Sequence, residues 1–385
     1  MKRKFAAVVS FLAVTILLFS LNGCSGQNRN ADEDVSSPAS GQTETEKITP
    51  SPAPSLRQNE TPETLPSGAP AAESGTYNPL TGLPMDKKYL NRRPVAVMLN
   101  NIKKAQPQLG VSKADIIYEI PAEGGVTRLL ALYQEIDQAG TLGSIRSARP
   151  YYLEIALGHD ALLVHAGGSE EAYQDIQKWS MDNMDGVRGG SDAKIFWRDP
   201  DRRKNMGYEH SMLTSGEKIQ EYLDAGYFRT DHRSDYSWYQ TYTDAAAPSG
   251  GRPAEKITIQ FTGGYKTGIF QYDAKTGKYL ASQYGKPHVD GINGEQVSTD
   301  NLLVLDASME VLDKEGRLAV NLTGTGNGIY CCRGSYIPIR WEKTNRNSPF
   351  RYYRQNGQPL ALAAGKTYVC ITDPESSTVT IEPSE

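Results

Sequence analysis

"RPYYLEIALGHDALLVHAGGSEEAY", residues 149–173, predicts a helix, a strand and the start of a second helix in one run. Pro150 suits the first helical position, and Gly158 ends the first helix. "ALLVHA" (161–166) is typical of a short buried strand. A Gly-Gly turn then leads to Ser169, which suits the N-cap of the next helix. This order of elements indicates an α/β layer.

The same alternation extends outward from about residue 95 to residue 225. Thr214 and Glu217 form a capping-box pattern, and Gly226 closes the helix that they predict. The predicted strands before the opening segment are "PVAVMLN" (94–100), "ADIIYEI" (114–120) and "RLLALYQEI" (128–136).

From about residue 250 the helical period disappears, and strand-like segments alternate with turn signals such as Asn293-Gly294. We therefore predict an α/β domain (77–240, a mixed sheet with flanking helices) followed by a mainly antiparallel β domain (250–382). Residues 241–255 have the composition of a short linker.

The N-terminus indicates a lipoprotein leader. A basic start and an apolar run (5–21) end in "LNGC", which favours a signal peptide over residues 1–23 and a lipid-modified Cys24 carrying acyl chains such as palmitate. The alternative is a plain secretory signal with an incidental cysteine. Two or more acyl chains give stable anchoring, so we expect a protein of the cell membrane on its extracytoplasmic face.

Residues 24–76 predict a disordered tether, because Pro, Ser, Thr and Glu dominate and aromatic residues are missing. The whole chain carries a net charge of −4, and without the leader and tether the remainder is close to −2. Nucleic acid is therefore not an expected partner.

Three further cysteines lie in the C-terminal part: Cys331, Cys332 and Cys370. A disulfide from Cys370 to either of the adjacent pair is one interpretation, and three buried thiols are the other.

"GSIRSARP" (143–150) suggests an anion site. Arg146 and Arg149 lie beside the positive end of the helix that Pro150 opens, where a cation is unfavourable without a partner. A bound anionic ligand is one possible partner for the two arginines. The alternative is an internal carboxylate, with four candidates in the same domain: Glu119, Glu123, Glu135 and Asp137.

The second helix start adds His165, Gly167, Gly168 and Ser169 as candidate ligand-binding residues, since a strand, a small-residue loop and a helix N-terminus can hold an anion. Individually, a satisfied core histidine and an ordinary turn are the plainer interpretations.

"IPAEGGVTR" (120–128) adds Arg128 and Glu123 around another Gly-Gly turn, which a surface ion pair would also explain. Asp115, Glu119 and Glu123 are candidate ligands for a divalent cation such as magnesium. Asp115 and Glu123 are also the candidate catalytic groups, although no complete catalytic constellation stands out.

The chain resembles the YerB-like family of bacterial lipoproteins over nearly all of residues 77–380. The likeness rests on long motifs: "NPLTGLP", "RRPVAVMLNN", "SKADIIYE", "EGGVTRLLALYQ", "GSIRSARPYY", "HAGGSEEAY" and "YDAKTGKYLASQYGKPHVD". The resemblance implies a two-domain, membrane-anchored envelope lipoprotein and brings no known activity.

A shorter likeness concerns the LytR-CpsA-Psr family of wall-polymer ligases, which bind a polyprenyl phosphate with magnesium. Asp115 and Arg146 match its motif order, whereas "SIRS" lacks that family's proline and the aspartate after the arginine.

Three hypotheses follow. The first is a binding or regulatory lipoprotein that holds an anionic, phosphate-bearing or glycan envelope ligand and contacts wall polymer or envelope proteins. The second is an envelope enzyme acting on lipid-linked phosphate or wall polymer. The third is a scaffold whose arginines are paired internally.

Overall fold

The computed structural model of the protein describes residues 76–383, apart from Tyr239, Ala245 and Thr262. The predicted signal peptide, the lipidation site at Cys24 and nearly all of the predicted tether lie outside the described residues.

Four α-helices occur in the described part of the chain: α1 (Pro150–Gly158), α2 (Glu170–Lys178), α3 (Pro200–Asn205) and α4 (Gly216–Asp224). The strands of the N-terminal half are β1 (Val95–Asn100), β2 (Ile116–Pro121), β3 (Thr127–Tyr133), β4 (Thr141–Gly143), β5 (Leu162–His165), β6 (Asn183–Asp185), β7 (Trp197–Arg198), β8 (Met212–Ser215) and β9 (Tyr242–Thr243). The strands of the C-terminal half are β10 (Arg252–Pro253), β11 (Lys256–Gln260), β12 (Thr267–Asp273), β13 (Lys278–Gln283), β14 (Lys286–Pro287), β15 (Ser298–Thr299), β16 (Asn301–Asp306), β17 (Met309–Val311), β18 (Leu318–Val320), β19 (Gly324–Cys332), β20 (Ser335–Lys343), β21 (Arg351–Arg354), β22 (Leu362–Ala363), β23 (Thr367–Thr372) and β24 (Thr378–Glu382). Short 3-10 helices cover Lys87–Tyr89, Lys103–Ala105, Val111–Lys113, Glu123–Gly125, Ile136–Gln138, Ser191–Ile195 and Tyr208–His210.

The local signals of the opening segment produce the predicted helices. Pro150 is the first residue of α1, and the Ser169 hydroxyl caps α2 by accepting a hydrogen bond from the backbone N–H of Ala172 at 3.2 Å. The predicted cap of α4 is wrong by one residue. The Ser215 hydroxyl caps this helix by accepting from the N–H of Lys218, whereas the Thr214 hydroxyl donates to the carbonyl of Ile195 at 3.1 Å.

One large sheet runs through both halves of the chain. Its strand order is β10-β20-β19-β16-β23-β2-β3-β1-β5-β6, with β21 paired to β20. Strands β1, β5 and β6 are parallel, whereas β3 is antiparallel to both β1 and β2. Strand β23 pairs in parallel with β2, so the sheet crosses the predicted boundary between the two halves. The predicted domain limits stay a prediction.

The C-terminal half also forms a separate antiparallel sheet with the order β14-β13-β12-β11-β24 and with β15 on β13. A mixed sheet with helices followed by mainly antiparallel pairing confirms the predicted fold class. All six residues of β1 are buried, so both faces of the large sheet are covered at its centre.

The three C-terminal cysteines are buried free thiols. Burial raises the pKa of Cys331 and Cys370. The structure therefore agrees with the interpretation of three buried thiols and contains no disulfide among Cys331, Cys332 and Cys370.

Candidate functional site

The segment "GSIRSARP" crosses one edge of the large sheet, where the parallel strands β1 and β5 end. The backbone N–H of Arg146 donates to the carbonyl of Met98 at 2.9 Å, and the N–H of Ala166 donates to the carbonyl of Arg146 at 3.0 Å. The N–H of Ala148 donates to the carbonyl of Gly167 at 2.9 Å. The two predicted ligand-binding loops therefore lie side by side, at the strand ends where open α/β sheets bind ligands.

Arg128 and Arg149 are held by one internal carboxylate, that of Glu123. The Arg149 Nε donates to Glu123 Oε1, and Arg128 Nη2 donates to Glu123 Oε2 at 3.0 Å. Further guanidinium donors reach the carbonyls of Ser147 and Ala148, both at 2.7 Å. The partner of these two arginines in the structure is therefore an internal carboxylate.

The pKa shifts of Arg128 and Glu123 agree with an ion-paired cluster of Glu123, Arg128 and Arg149. Burial and the neighbouring Arg149 lower the pKa of Arg128 to about 10. Burial raises the pKa of Glu123, but Arg128 and Arg149 outweigh it, and the carboxyl pKa lies below its ordinary value. The Glu123 carboxylate thus supplies the negative charge that the helix start requires.

The predicted anion cradle before α2 is occupied by Asp185. The N–H of Gly167 donates to Asp185 Oδ1 at 2.8 Å, and the N–H of Val187 donates to the same oxygen at 2.9 Å. The hydroxyl of Tyr173 donates to Asp185 Oδ2 at 2.8 Å. Because these donors already bind Asp185, the loop stabilises the fold, and a ligand would have to displace Asp185 to bind there.

The other candidates in this loop are also packed. His165 is fully buried, with its Nδ1 2.7 Å from the carbonyl oxygen of Gly167 and its Nε2 3.1 Å from Asn183 Oδ1. Gly168 forms an isolated bridge with Ala148. The plainer interpretation of His165, a satisfied core histidine, fits these contacts.

The three candidate metal ligands do not converge. Asp115, at the start of β2, accepts hydrogen bonds from the backbone of Gln134 at 2.7 Å and from the Asn78 amide at 3.0 Å. Glu119 lies within β2, and Glu123 beyond its end pairs with the two arginines. Among residues 76–383 as described, no group of His, Cys, Asp or Glu is arranged to hold a metal ion.

Glu119 instead anchors a buried polar network that the sequence analysis missed. Its Oε1 accepts from the Asn101 amide at 2.9 Å and from the Thr127 hydroxyl at 2.6 Å, and it lies 3.0 Å from Lys266 Nζ. Its Oε2 accepts from the Tyr368 hydroxyl at 2.6 Å. The signal was available, because a glutamate inside the apolar strand "IIYEIP" needs a buried partner.

Arg146 differs from the other two arginines because its partner is exposed. Its Nη2 donates to Glu209 Oε2 at 2.8 Å, and the two side chains are 25% and 66% exposed. Glu209 belongs to the short helix Tyr208–His210, which the sequence analysis did not consider. The guanidinium of Arg146 is thus the predicted ligand-binding group that remains near solvent.

Tyr208 carries two further arginines beside this pair. The Arg198 Cζ lies 3.5 Å from the centroid of the Tyr208 ring, and the Arg203 Cζ lies 5.4 Å from it. Arg198 Nη1 also donates to the Tyr208 carbonyl at 2.6 Å. The stack holds guanidinium groups in place at the protein surface.

Two lysines complete this surface. Arg202 donates to the carbonyls of Ala105 and Pro107, which joins α3 to the end of the short Lys103–Ala105 helix. Lys103 and Lys104 of that helix are exposed. We name the following set the cationic edge: Lys103, Lys104, Arg146, Arg198, Arg203, Lys204 and Tyr208.

The cationic edge is locally strongly positive. The segments 101–106 and 197–210 together with Arg146 hold seven Lys and Arg residues against three carboxylates, a net charge of +4 in a chain whose total is −4. A run such as "WRDPDRRK" was the available sequence signal for it. Such a local field attracts anions although the whole protein repels them.

Two family models match the chain. The N-terminal domain of "Protein of unknown function (DUF3048)" matches residues 80–229, and the C-terminal domain of the same family matches residues 257–369.

The chain is 32% identical over 313 residues to "Putative lipoprotein YerB" of Bacillus subtilis (strain 168), which covers 80% of this chain and 89% of that protein. The crystal structure of YerB from Bacillus subtilis is similar with a TM-score of 0.68 and 28% identity, covering 79% of this chain and 99% of that one. Within the described residues, each helix is too short or too polar to cross a lipid bilayer.

Proposed function

Since the chain belongs to the DUF3048 family, we propose that it is a membrane-anchored envelope lipoprotein that binds an anionic envelope ligand on its cationic edge. The likeness to a lipoprotein over most of the chain supports the anchoring at Cys24 and the extracytoplasmic location. The local charge supports the ligand class.

The observation that carries this proposal is the pairing of Arg146. Its partner Glu209 is 66% exposed, and exposed ion pairs contribute only about 0–1 kcal/mol to stability. An incoming anion can therefore replace Glu209 at little cost. By contrast, replacing Glu123 between Arg128 and Arg149 would leave buried cations without their partner.

The arginines on Tyr208 provide further binding groups. A guanidinium stacked on a ring has lost part of its freedom before the ligand arrives, so each new hydrogen bond costs less ordering entropy. Charge-assisted bidentate contacts from such groups suit phosphate and carboxylate oxygens.

The enzyme alternative finds no supporting geometry. Asp115 lies at the amino end of β2, whereas Arg146 lies beside the carboxyl half of β1, opposite Met98. The two strands run in the same direction because both are antiparallel to β3. The two groups lie at different levels of the sheet and have separate partners, Gln134 and Asn78 for Asp115 and Glu209 for Arg146.

The test is native mass spectrometry of the full-length protein extracted from its own envelope. Wild type is compared with the variant Arg146→Ala/Arg198→Ala/Arg203→Ala and with a control that removes three cations from the C-terminal half, Lys256→Ala/Lys275→Ala/Arg354→Ala. We expect a bound anionic molecule on wild type and control and its loss from the first variant. Equal retention by all three proteins would refute the proposed site.

A further inference from the structure

The tether predicted for residues 24–76 sets the distance between the cationic edge and the membrane. The described chain begins at residue 76, and Asn78 contacts Asp115 at the amino end of β2. Arg146 of the cationic edge lies beside the carboxyl half of β1, opposite Met98. A coil of about fifty residues reaches roughly 40 Å on average, so the predicted tether can hold the edge at that distance from the membrane.

This placement bears on which anion the edge meets. The field of an anionic bilayer falls off within a Debye length, about 8–10 Å in physiological salt. An edge held at the reach of the predicted tether lies outside that range, while polymers of the wall reach it directly.

The chemistry of the edge also differs from that of a membrane-inserting surface. Surfaces that enter a bilayer combine cations with exposed apolar side chains. Here the exposed ring of Tyr208 is stacked against the Arg198 guanidinium, and its neighbours are lysines and arginines. Planar guanidinium forks match the paired oxygens of phosphate.

The charges of the cationic edge come from several segments of the chain. They come from the Lys103–Ala105 helix, the Arg146 segment, β7 and α3. The cavity defined by Tyr118, Trp238, Tyr352 and their neighbours involves none of these residues. Several separate cations suit a chain with repeated negative charges better than a single small anion.

From these observations, and on the basis of the proposed function, we infer that the ligand of the cationic edge is a wall-side polymer with repeating phosphodiester groups. Phospholipid headgroups of the membrane carry the same phosphate chemistry, and the experiment separates the two sources.

The experiment uses the full-length lipoprotein in vesicles of phosphatidylcholine, titrated with fluorescent poly(glycerol phosphate). We expect saturable binding that weakens as salt rises. Arg198→Ala/Arg203→Ala should weaken binding by about tenfold or more, and the salt slope should fall by about one for each cation removed. Arg198→Lys/Arg203→Lys, which keeps the charge, should lose less, and Lys256→Ala/Lys275→Ala should bind as wild type.

A second arm tests the membrane. The titration is repeated in vesicles of equal parts phosphatidylcholine and phosphatidylglycerol, with an environment-sensitive dye on Asn205→Cys at the end of α3. We expect unchanged polymer affinity and no dye response to the lipid.

The remaining outcomes are distinguishable. No polymer binding together with a dye response to phosphatidylglycerol overturns the inference and leaves anion binding by the edge intact. Equal affinity for poly-glutamate overturns the phosphodiester class alone. No binding to polymer, polypeptide or lipid overturns both the inference and the proposed function.

Discussion

Two cation–carboxylate pairs of the protein have the same chemistry and opposite surroundings. Lys266 and Glu119 lie 3.0 Å apart with both side chains 1% exposed, whereas Arg146 and Glu209 lie 2.8 Å apart near solvent. The first carboxylate is saturated by further donors, and the second has the arginine as its partner. Burial therefore separates a pair that holds the fold from a pair that can exchange partners.

The largest expected effect comes from breaking the buried pair. Lys266→Met leaves the Glu119 carboxylate buried without its cation, and we expect the free energy of unfolding to fall by about 3–5 kcal/mol. Urea unfolding of the full-length protein, followed by circular dichroism, measures this loss.

A matched control is Lys256→Met, whose partner Glu382 is partly exposed and whose loss should cost less than about 1 kcal/mol. The double variant Glu119→Leu/Lys266→Met should recover part of the stability, because no charge remains buried. Equal costs for Lys266→Met and Lys256→Met would remove the distinction between the two kinds of pair.

The side chains of Glu123, Arg128 and Arg149 are less buried than the Lys266–Glu119 pair and more buried than the Arg146–Glu209 pair. Breaking their contacts should therefore have an intermediate effect on stability. Glu123→Gln keeps the shape but leaves Arg128 and Arg149 without their shared carboxylate, and we expect a loss of about 2 kcal/mol. Sulfate should restore more stability to this variant than to wild type, because an anion beside the two guanidinium groups can supply the charge that the carboxamide lacks.

Thermal unfolding in sodium sulfate and in sodium chloride of equal ionic strength measures this restoration. Glu315→Gln, at an exposed hairpin, is the control and should respond to sulfate as wild type does. A variant as stable as wild type would show that Glu123 is dispensable to the fold.

Asp115 allows a third test, through pH. Burial raises the pKa of its carboxyl to about 6. The hydrogen bond from the Gln134 N–H and the charge of Lys366 lower this pKa, but they do not outweigh the burial. The folded chain thus keeps a proton that the unfolded chain releases near pH 4. Stability should decline as pH rises from about 4 to 6, and Asp115→Asn should remove on the order of 2 kcal/mol of that decline.

Urea unfolding at a series of pH values measures the slope. Asp306, whose pKa burial also raises to about 6, should leave a residual slope in the variant. Asp273→Asn, in an exposed turn where a Thr276 hydrogen bond lowers the carboxyl pKa, is the control and should keep the full decline. A slope unaffected by Asp115→Asn would mean that this carboxyl titrates as an exposed one.

The difference between these regions also explains how far the sequence could lead. Helices α1 and α2 were predictable because Pro150 and the Ser169 cap act within a few residues of themselves. The fold class was predictable from the change of period near residue 250. These signals are local, and so is their physical cause.

Pairing between distant segments left no such local signal. Nothing in "FTGGYK" indicates that Lys266 meets Glu119, and nothing in "MDG" indicates that Asp185 binds the Gly167 loop. At the candidate site the sequence predicted a negative partner for Arg146 and left open whether it is an internal carboxylate or a bound anion. Its partner Glu209 and the stack on Tyr208 come from a segment that only the fold brings beside it.

The smallest expected effect on stability belongs to Arg146. Because its pair with Glu209 is exposed, Arg146→Ala should change the free energy of unfolding by about 0.5 kcal/mol or less while weakening polymer binding. Arg149→Ala is the matched control three residues away, and it should cost about 2 kcal/mol because it leaves Glu123 with one partner fewer. The two variants, measured side by side for urea unfolding and for binding, should separate the two properties. If Arg146→Ala destabilised the protein as much as Arg149→Ala, its guanidinium would belong to the scaffold, and the cationic edge would lose its central residue.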